Sequence, residues 1–324
     1  MNSGAASVYL LARKISTTSA VAAALLSLVI VHLFHVDAIS WQIALATSAL
    51  ALGIPHGAVD HLISLPKNSP RKLLLFILIY VAIAVAAGAA IFQWNLIGFQ
   101  LVLLMSFLHF GFGDATFLVE LGDAKEQPRK QIFIKFFYAL SSGALPVFLP
   151  LTSHETQKAL NKIHPALIDW AGAGASRIRA AVLICAAITA LLLIFTRGWR
   201  DLFDLAALFA LGLFAPPLVA FAIYFGLWHA LRHTARLTQL LPRAHEYSEA
   251  GNAGRALISA SVPGLPALAG ALVLAAGFII FRGENLSSDF VWNLLVIVWA
   301  LTVPHMLVTA RIDRRVLNEF STRH

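Results

Sequence analysis

Apolar stretches, most of them about as long as a bilayer is thick, fill this chain and leave few folds open to it. Ten are legible: 17–36, 40–63, 72–92, 97–119, 131–151, 178–196, 201–215, 217–238, 263–281 and 289–311; a helix needs ~20 such residues to cross a hydrocarbon core. Only 12% of the 324 residues are charged, against about a quarter in a soluble domain. With 59% hydrophobic residues and a mean hydropathy of +0.78, the chain reads as an integral membrane protein. The expected fold is all-α: a single polytopic transmembrane helical bundle over 1–324, with about ten spans. Nine is the alternative, because Pro216-Pro217 suits either a tight turn between two helices or a break in a re-entrant one.

The formal charge of +8 follows from topology rather than from a nucleic-acid partner. With the N-terminus inside, 18 of the 24 Lys and Arg fall on the cytoplasmic side, around 13–14, 67–72, 125–130, 197–200, 232–255 and 311–323. The positive-inside rule expects that bias. It predicts both termini in the cytoplasm and residues 1–16 as a cytoplasmic tail. Arg13-Lys14 precede an apolar run too long for a signal peptide, so the first helix reads as uncleaved. The 152–177 connection reads as a surface loop with some helix. The one cysteine, Cys185, excludes a disulfide framework, a thiolate zinc site and an iron–sulfur cluster, so any metal is held by nitrogen or oxygen.

Histidine recurs at similar depth in the second, fourth, eighth and tenth spans, all of which run from outside to inside: His56, His109, His229 with His233, and His305. At 1.5 Å per residue these positions lie between about 18 and 24 Å from the outer ends, a layer about 6 Å thick. Ionisable residues inside a membrane segment mark functional sites by default. His32 and His35 fall at the outer end of the first span and read as interfacial; His154, His164, His245 and His324 receive no role.

Each motif has its own logic. In Trp228-His229-x-x-x-His233 the i, i+4 spacing puts both rings on one helix face, which suits a single ion. In Gly53-x-Pro55-His56-Gly57-x-x-Asp60-His61, His56 and Asp60 share a face, whereas His61 is turned away by about 140° unless Pro55 and Gly57 distort the helix. His56 is therefore the preferred ligand and Asp60 an acceptor orienting an imidazole. His61 lies nearer the cytoplasmic interface, either solvated or a pocket residue. In Leu108-His109-Phe110-Gly111-Phe112-Gly113-Asp114 the glycines permit close backbone approach, and Asp114 needs an imidazole or a cation as partner. Pro304-His305 repeats the Pro-His pair; His305 ranks below the other four as a ligand, with a pocket role or a bond to a freed carbonyl as alternatives. Phe107, Phe110, Phe112, Tyr224, Phe225 and Trp228 cluster by sequence around these histidines and suggest an apolar substrate entering from the bilayer.

Imidazole ligation suits zinc, copper, iron or nickel. HExxH is absent, an i, i+4 pair cannot bind the two faces of one haem, and one HxxxH is too few for a histidine-cluster di-iron site. A mononuclear iron(II) held by four histidines fits best. A histidine-rich hydroxylase or desaturase and a non-enzymatic carotenoid or retinal binder are the competing readings.

The segments at 53–61, 108–114, 228–233 and 304–306 resemble, in order, motifs of the Brp/Blh family of prokaryotic membrane β-carotene 15,15′-dioxygenases, over roughly 53–311. The resemblance implies an Fe(II)-dependent enzyme of the cell membrane that uses O2 to cleave the central double bond of β-carotene into two retinal molecules. It also implies hand-off of retinal to a microbial rhodopsin. Carried over by motif position, His56, His109, His229 and His233 hold the iron, with Asp60 and Asp114 supporting them.

Overall fold

The computed structural model describes residues 3–34, 39–65, 69–126, 132–153, 156, 160–161, 164–270, 273 and 288–321. Among them there is no strand; the order is α1 (Ser3–Ser27, continued by a π-helical stretch Leu28–Leu33), α2 (Ile39–Gly57), α3 (Asp60–Ser64), α4 (Pro70–Gln93), α5 (Asn95–Ala124), α6 (Ile132–Leu151), α7 (Ala175–Phe195), α8 (Trp199–Phe214), α9 (Pro217–Ala222), a π-helical segment Ile223–His229, α10 (Ala230–Leu237), α11 (Pro242–Glu249), α12 (Ala253–Ser261) and α13 (Ser288–Ser321). Pro70, Pro217 and Pro242 open α4, α9 and α11, where a missing N–H costs nothing. The Asn252 side chain accepts from the Arg255 N–H at 3.2 Å and caps α12.

Seven helical stretches among the described residues are long and apolar enough to cross a membrane: Gly4–Val31, Trp41–Ser64, Pro70–Gln93, Asn95–Ala124, Ile132–Leu151, Gly172–Phe195 and Leu295–Arg314. They coincide with seven of the ten expected spans. Of the other three, α8 has only 16 residues. The run from Pro217 to Leu237 carries His229, Arg232, His233 and Arg236 within its last turns, and 263–281 lies mostly outside the described residues.

At Ala215-Pro216 both residues adopt extended backbone, and the chain reverses: Asp204 on α8 meets Arg232 on α10 at 3.0 Å. Two helices with a turn between them, not one broken helix, fill this region. Helix α1 starts at Ser3, so most of the 1–16 segment is helical, and Val8 and Ala12 within it are fully buried.

The bundle's core runs through α5–α9, where Leu145, Leu149, Leu193, Leu208 and Leu211 are buried. Helices α5 and α6 meet backbone to backbone: a Cβ on Gly143 would lie 2.9 Å from the Gly111 nitrogen and 3.0 Å from its Cα. Small residues drive such pairing in lipid, where apolar burial gives no net gain. Ser141 Oγ and Thr189 Oγ1 tie α6 to α7 at 2.7 Å. The 152–177 connection is less superficial than expected, since Leu167 is buried and Trp170 stacks on Phe148 with ring centroids 6.0 Å apart. On α4, by contrast, Leu74, Leu75, Leu78 and Val85 are all more than half exposed. That large apolar face marks a membrane-facing surface.

Replacing Gly143 by Leu should therefore lower stability by about 1–3 kcal/mol, the cost of overpacking. Gly254→Ala, where a Cβ meets nothing within 4 Å, should be neutral; thermal unfolding in detergent compares the two.

Candidate metal centre

Four helical segments deliver histidine to one buried cluster: His56 at the end of α2, His109 midway along α5, His229 and His233 across the junction of the π segment with α10, and His305 on α13. Ring centroids lie 5.1 Å apart for His56 and His305, 5.3 Å for His56 with either His229 or His233, 4.7 Å for His109 and His229, and 5.5 Å for His233 and His305. His229 and His233 stack nearly parallel at 6.1 Å, as i, i+4 spacing requires. His56, His229 and His305 each offer a donor atom within 4.8 Å of the other two, so His305, ranked last from sequence, sits inside the tightest group.

The rings are held mainly from one side. His56 Nδ1 bonds to the Gly53 carbonyl oxygen. His109 Nδ1 meets Thr309 Oγ1 at 3.1 Å. His305 Nδ1 reaches both oxygens of Asp60, at 3.0 and 3.1 Å. In turn Asp60 accepts from the Tyr80 hydroxyl at 3.3 Å. Anchoring one ring nitrogen fixes the tautomer and aims the other, the usual arrangement around a metal ion. The second nitrogens of His233 and His305, both Nε2, are buried with no hydrogen-bond partner among the described residues. Orphaned donors or acceptors of this kind are rare in a protein interior.

The donor set fits an ion. His109 Nε2 and His229 Nε2 are 3.1 Å apart, close to the spacing of about 3 Å that two metal–imidazole bonds of ~2.1 Å make at a right angle. Glycine leaves room for one of the rings. A Cβ on Gly57 would come within 3.3 Å of His305 Nδ1.

The break after Pro55 also has a use. Helix α2 stops at Gly57, Ala58 and Val59 form a turn, and α3 restarts at Asp60. The distortion expected from Pro55 and Gly57 thus brings in Asp60 but not His61. His61 bonds to the Ala58 carbonyl at 3.2 Å and lines a separate cavity of about 730 Å³ with Leu62, Leu241 and Ile258.

Asp60 orients His305 rather than His56. For Asp114 the sequence leaves an imidazole or a cation as partner; among the described residues it bonds to no imidazole, and accepts from Trp228 Nε1 at 2.8 and 3.0 Å and from Arg232 at 3.3 Å. Its partner is the cation, on the very helix that carries the paired histidines. Of the aromatic group, Phe110 packs on His229 at 4.7 Å and on Tyr224 at 5.0 Å, and Phe225 lies 5.9 Å from His56. Phe107 contacts Phe148 at 5.5 Å, and Phe112 packs against the core. His245 pairs with Glu249, and His164 rests on Trp292 at 4.5 Å. His35, His154 and His324 lie outside the described residues.

Sequence reasoning missed the charged framework. Arg13, Arg232 and Arg236, counted above among the cytoplasmic cations, are buried. Asp204, fully buried, receives Arg13 at 2.8 Å and Arg232 at 3.0 Å. Arg236 bonds to Glu120 at 2.8 Å and pairs with Asp313 at 2.8 Å, the latter off the hydrogen-bond axis. The available signal was spacing: His305, Thr309 and Asp313 recur every four residues, as do Arg232 and Arg236.

With this geometry in place, comparison with known proteins is decisive. The family model described as beta-carotene 15,15′-dioxygenase matches residues 47–313, a range that includes all five clustered histidines. The chain belongs to this family. It is 26% identical over 296 residues to the probable beta-carotene 15,15′-dioxygenase Blh of Halobacterium salinarum, covering 83% of this chain and 84% of that relative. It is 27% identical over 271 residues to the beta-carotene 15,15′-dioxygenase of an uncultured marine bacterium, 66A03, covering 79% and 88%. No solved structure matches. Membership places the chain among carotenoid-cleaving dioxygenases.

Asp204→Asn should cost about 3–5 kcal/mol, because it weakens the anchor of two buried guanidinium groups. Thermal unfolding should show that loss even in metal-free protein.

Proposed function

We propose that this chain cleaves the central 15,15′ double bond of β-carotene with dioxygen, giving two molecules of retinal, at an iron(II) ion held by the buried histidines. The observation that carries the reading is a buried cluster of five imidazoles, three of them (His56, His109 and His305) anchored through Nδ1, with the Nε2 atoms of His233 and His305 left unpartnered among the described residues. Motif position gives His56, His109, His229 and His233 as ligands. The packing supports His305 as a further donor, with its Nδ1 held by Asp60 and its Nε2 unpartnered.

Bound there, iron(II) would supply the redox chemistry that joins dioxygen to an alkene. The chain's own residues supply placement. Phe110, Tyr224 and Phe225 wall the histidines with aromatic faces, exclude water, and suit an apolar polyene better than a polar metabolite. Asp60, Thr309 and the Gly53 carbonyl keep the imidazoles in register, so the site is rigid before substrate arrives. Asp114 acts at one remove: by holding Trp228 and Arg232 it positions the helix that carries His229 and His233. Ten spans with both termini in the cytoplasm of a prokaryotic cell agree with the distribution of Lys and Arg. That topology puts the site below the bilayer midplane, where substrate enters from lipid and retinal is available to a microbial rhodopsin.

Expression in a β-carotene-producing bacterium tests the function. Orange colour should fade and retinal appear in the extract; unchanged pigment beside folded, iron-loaded protein would overturn the reading. Alanine at His56, His109, His229, His233 or His305 should abolish stoichiometric iron together with retinal. Asp60→Asn should weaken iron binding by about 10–100-fold, the usual effect of removing a group that orients a ligand, as read by metal titration.

A further inference from the structure

A second cavity, of about 470 Å³, opens where the end of α5, the start of α6 and the turn between α7 and α8 come together. None of the five clustered histidines lines it. Its charged lining is unbalanced. Lys125, Lys135, Arg197 and Arg200 face it with Arg13, against the carboxylates of Asp123 and Asp201. Arg13 is occupied by Asp201 at 2.5 Å and Asp204 at 2.8 Å, and Arg200 lies 6.0 Å from the Phe203 ring. Lys125 and Arg197 have no side-chain partner among the described residues.

Arg197 is also held in an unfavourable backbone state. Its φ is +55°. It ends α7, donating to the Ile194 carbonyl at 3.0 Å while Gly198 N–H reaches the Leu193 carbonyl at 2.7 Å. Glycine is the usual residue at such a left-handed helix terminus, and here glycine stands one position later. The other positive-φ residue among the described non-glycines, Glu126, follows Lys125, which lines the cavity at the end of α5. Strain of this kind persists where a side chain is needed.

The remaining walls tell what accompanies the anion. Leu10, Leu118, Ile134 and Leu193 make the cavity apolar on its inner side. Trp199, 60% exposed, marks the level of the membrane interface, where tryptophan concentrates. The lining thus matches an amphiphile, with a negative head among the cations and hydrocarbon against the leucines. We propose that this cavity binds the phosphate of an anionic phospholipid, with Lys125, Arg197 and Arg200 around the headgroup. Basic pockets between membrane helices on the cytoplasmic side recognise such headgroups.

The test uses the full-length protein in detergent, titrated separately with phosphatidylglycerol, phosphatidylcholine and inorganic phosphate. Retained lipid is counted by native mass spectrometry and Tm is followed in parallel. Wild type should retain phosphatidylglycerol in preference to phosphatidylcholine. Arg197→Gly should cut that retention about fivefold, the worth of one basic side chain near an anionic surface, while raising Tm without lipid because the positive φ no longer strains a side chain. The double variant Lys125→Ala/Arg200→Ala should lose retention with little change in lipid-free Tm. Wild-type retention of phosphatidylglycerol by both variants would overturn the proposal. Inorganic phosphate that raised Tm as much as phosphatidylglycerol would overturn the lipid assignment in favour of a soluble phosphate.

Discussion

Arg232 is a guanidinium 2% exposed inside a membrane bundle, and a charge in that setting persists only if the fold surrounds it with partners. Asp114 on α5 and Asp204 on α8 take its charge, and Ser16 and Thr17 on α1 accept two more of its hydrogen bonds. Trp228 and Phe117 present ring faces to it at 3.7 and 5.0 Å. Three helices, α1, α5 and α8, are thereby referenced to a single residue of α10. One turn on, Arg236 links the same helix to Glu120 on α5 and Asp313 on α13. The helix that carries His229 and His233 is therefore fixed by charge, in an environment where apolar contacts alone discriminate poorly between alternative packings.

The same helix divides its labour by position. Arg232 and Arg236 make the structural contacts, and His229 and His233 face the cluster. Because ion pairs and donors share a few turns, displacing α10 to suit one set would misplace the other. The remaining imidazoles are secured more locally: His56 by a carbonyl three residues back, His109 by a hydroxyl of α13, and His305 by a carboxylate that the break at Ala58-Val59 makes reachable. That break costs helical hydrogen bonds and in return brings Asp60 to His305. Imidazoles held in this way are what the proposed metal site would require.

Much of the site was readable before any coordinates. Similar positions along four apolar segments expected to run in one direction singled out His56, His109, His229, His233 and His305, because helical rise converts sequence position into height along a helix. The i, i+4 pair and the role of glycine at 111 followed from helix geometry alone. Lateral relations did not follow. Height says nothing about which side of a helix faces which neighbour, so Asp60 could not be assigned to His305 rather than His56, nor Asp114 to Arg232. The close approach of His305 to His56 and His229 could not be read for the same reason. The burial of Arg13, Arg232 and Arg236 did not follow either, because a charge near the end of an apolar run reads the same whether it reaches water or turns inward to a carboxylate.

By itself, the sequence determined that this chain is a helical membrane protein and that histidines recur at one level along several of its helices. Those properties depend on composition and on the fixed rise of a helix. Tertiary structure decided which imidazoles meet, which nitrogen each turns inward, and which carboxylate answers which cation. These depend on rotation and contact between helices far apart in sequence, and the hydrophobic pattern leaves such relations open because lipid and neighbouring helices are about equally apolar.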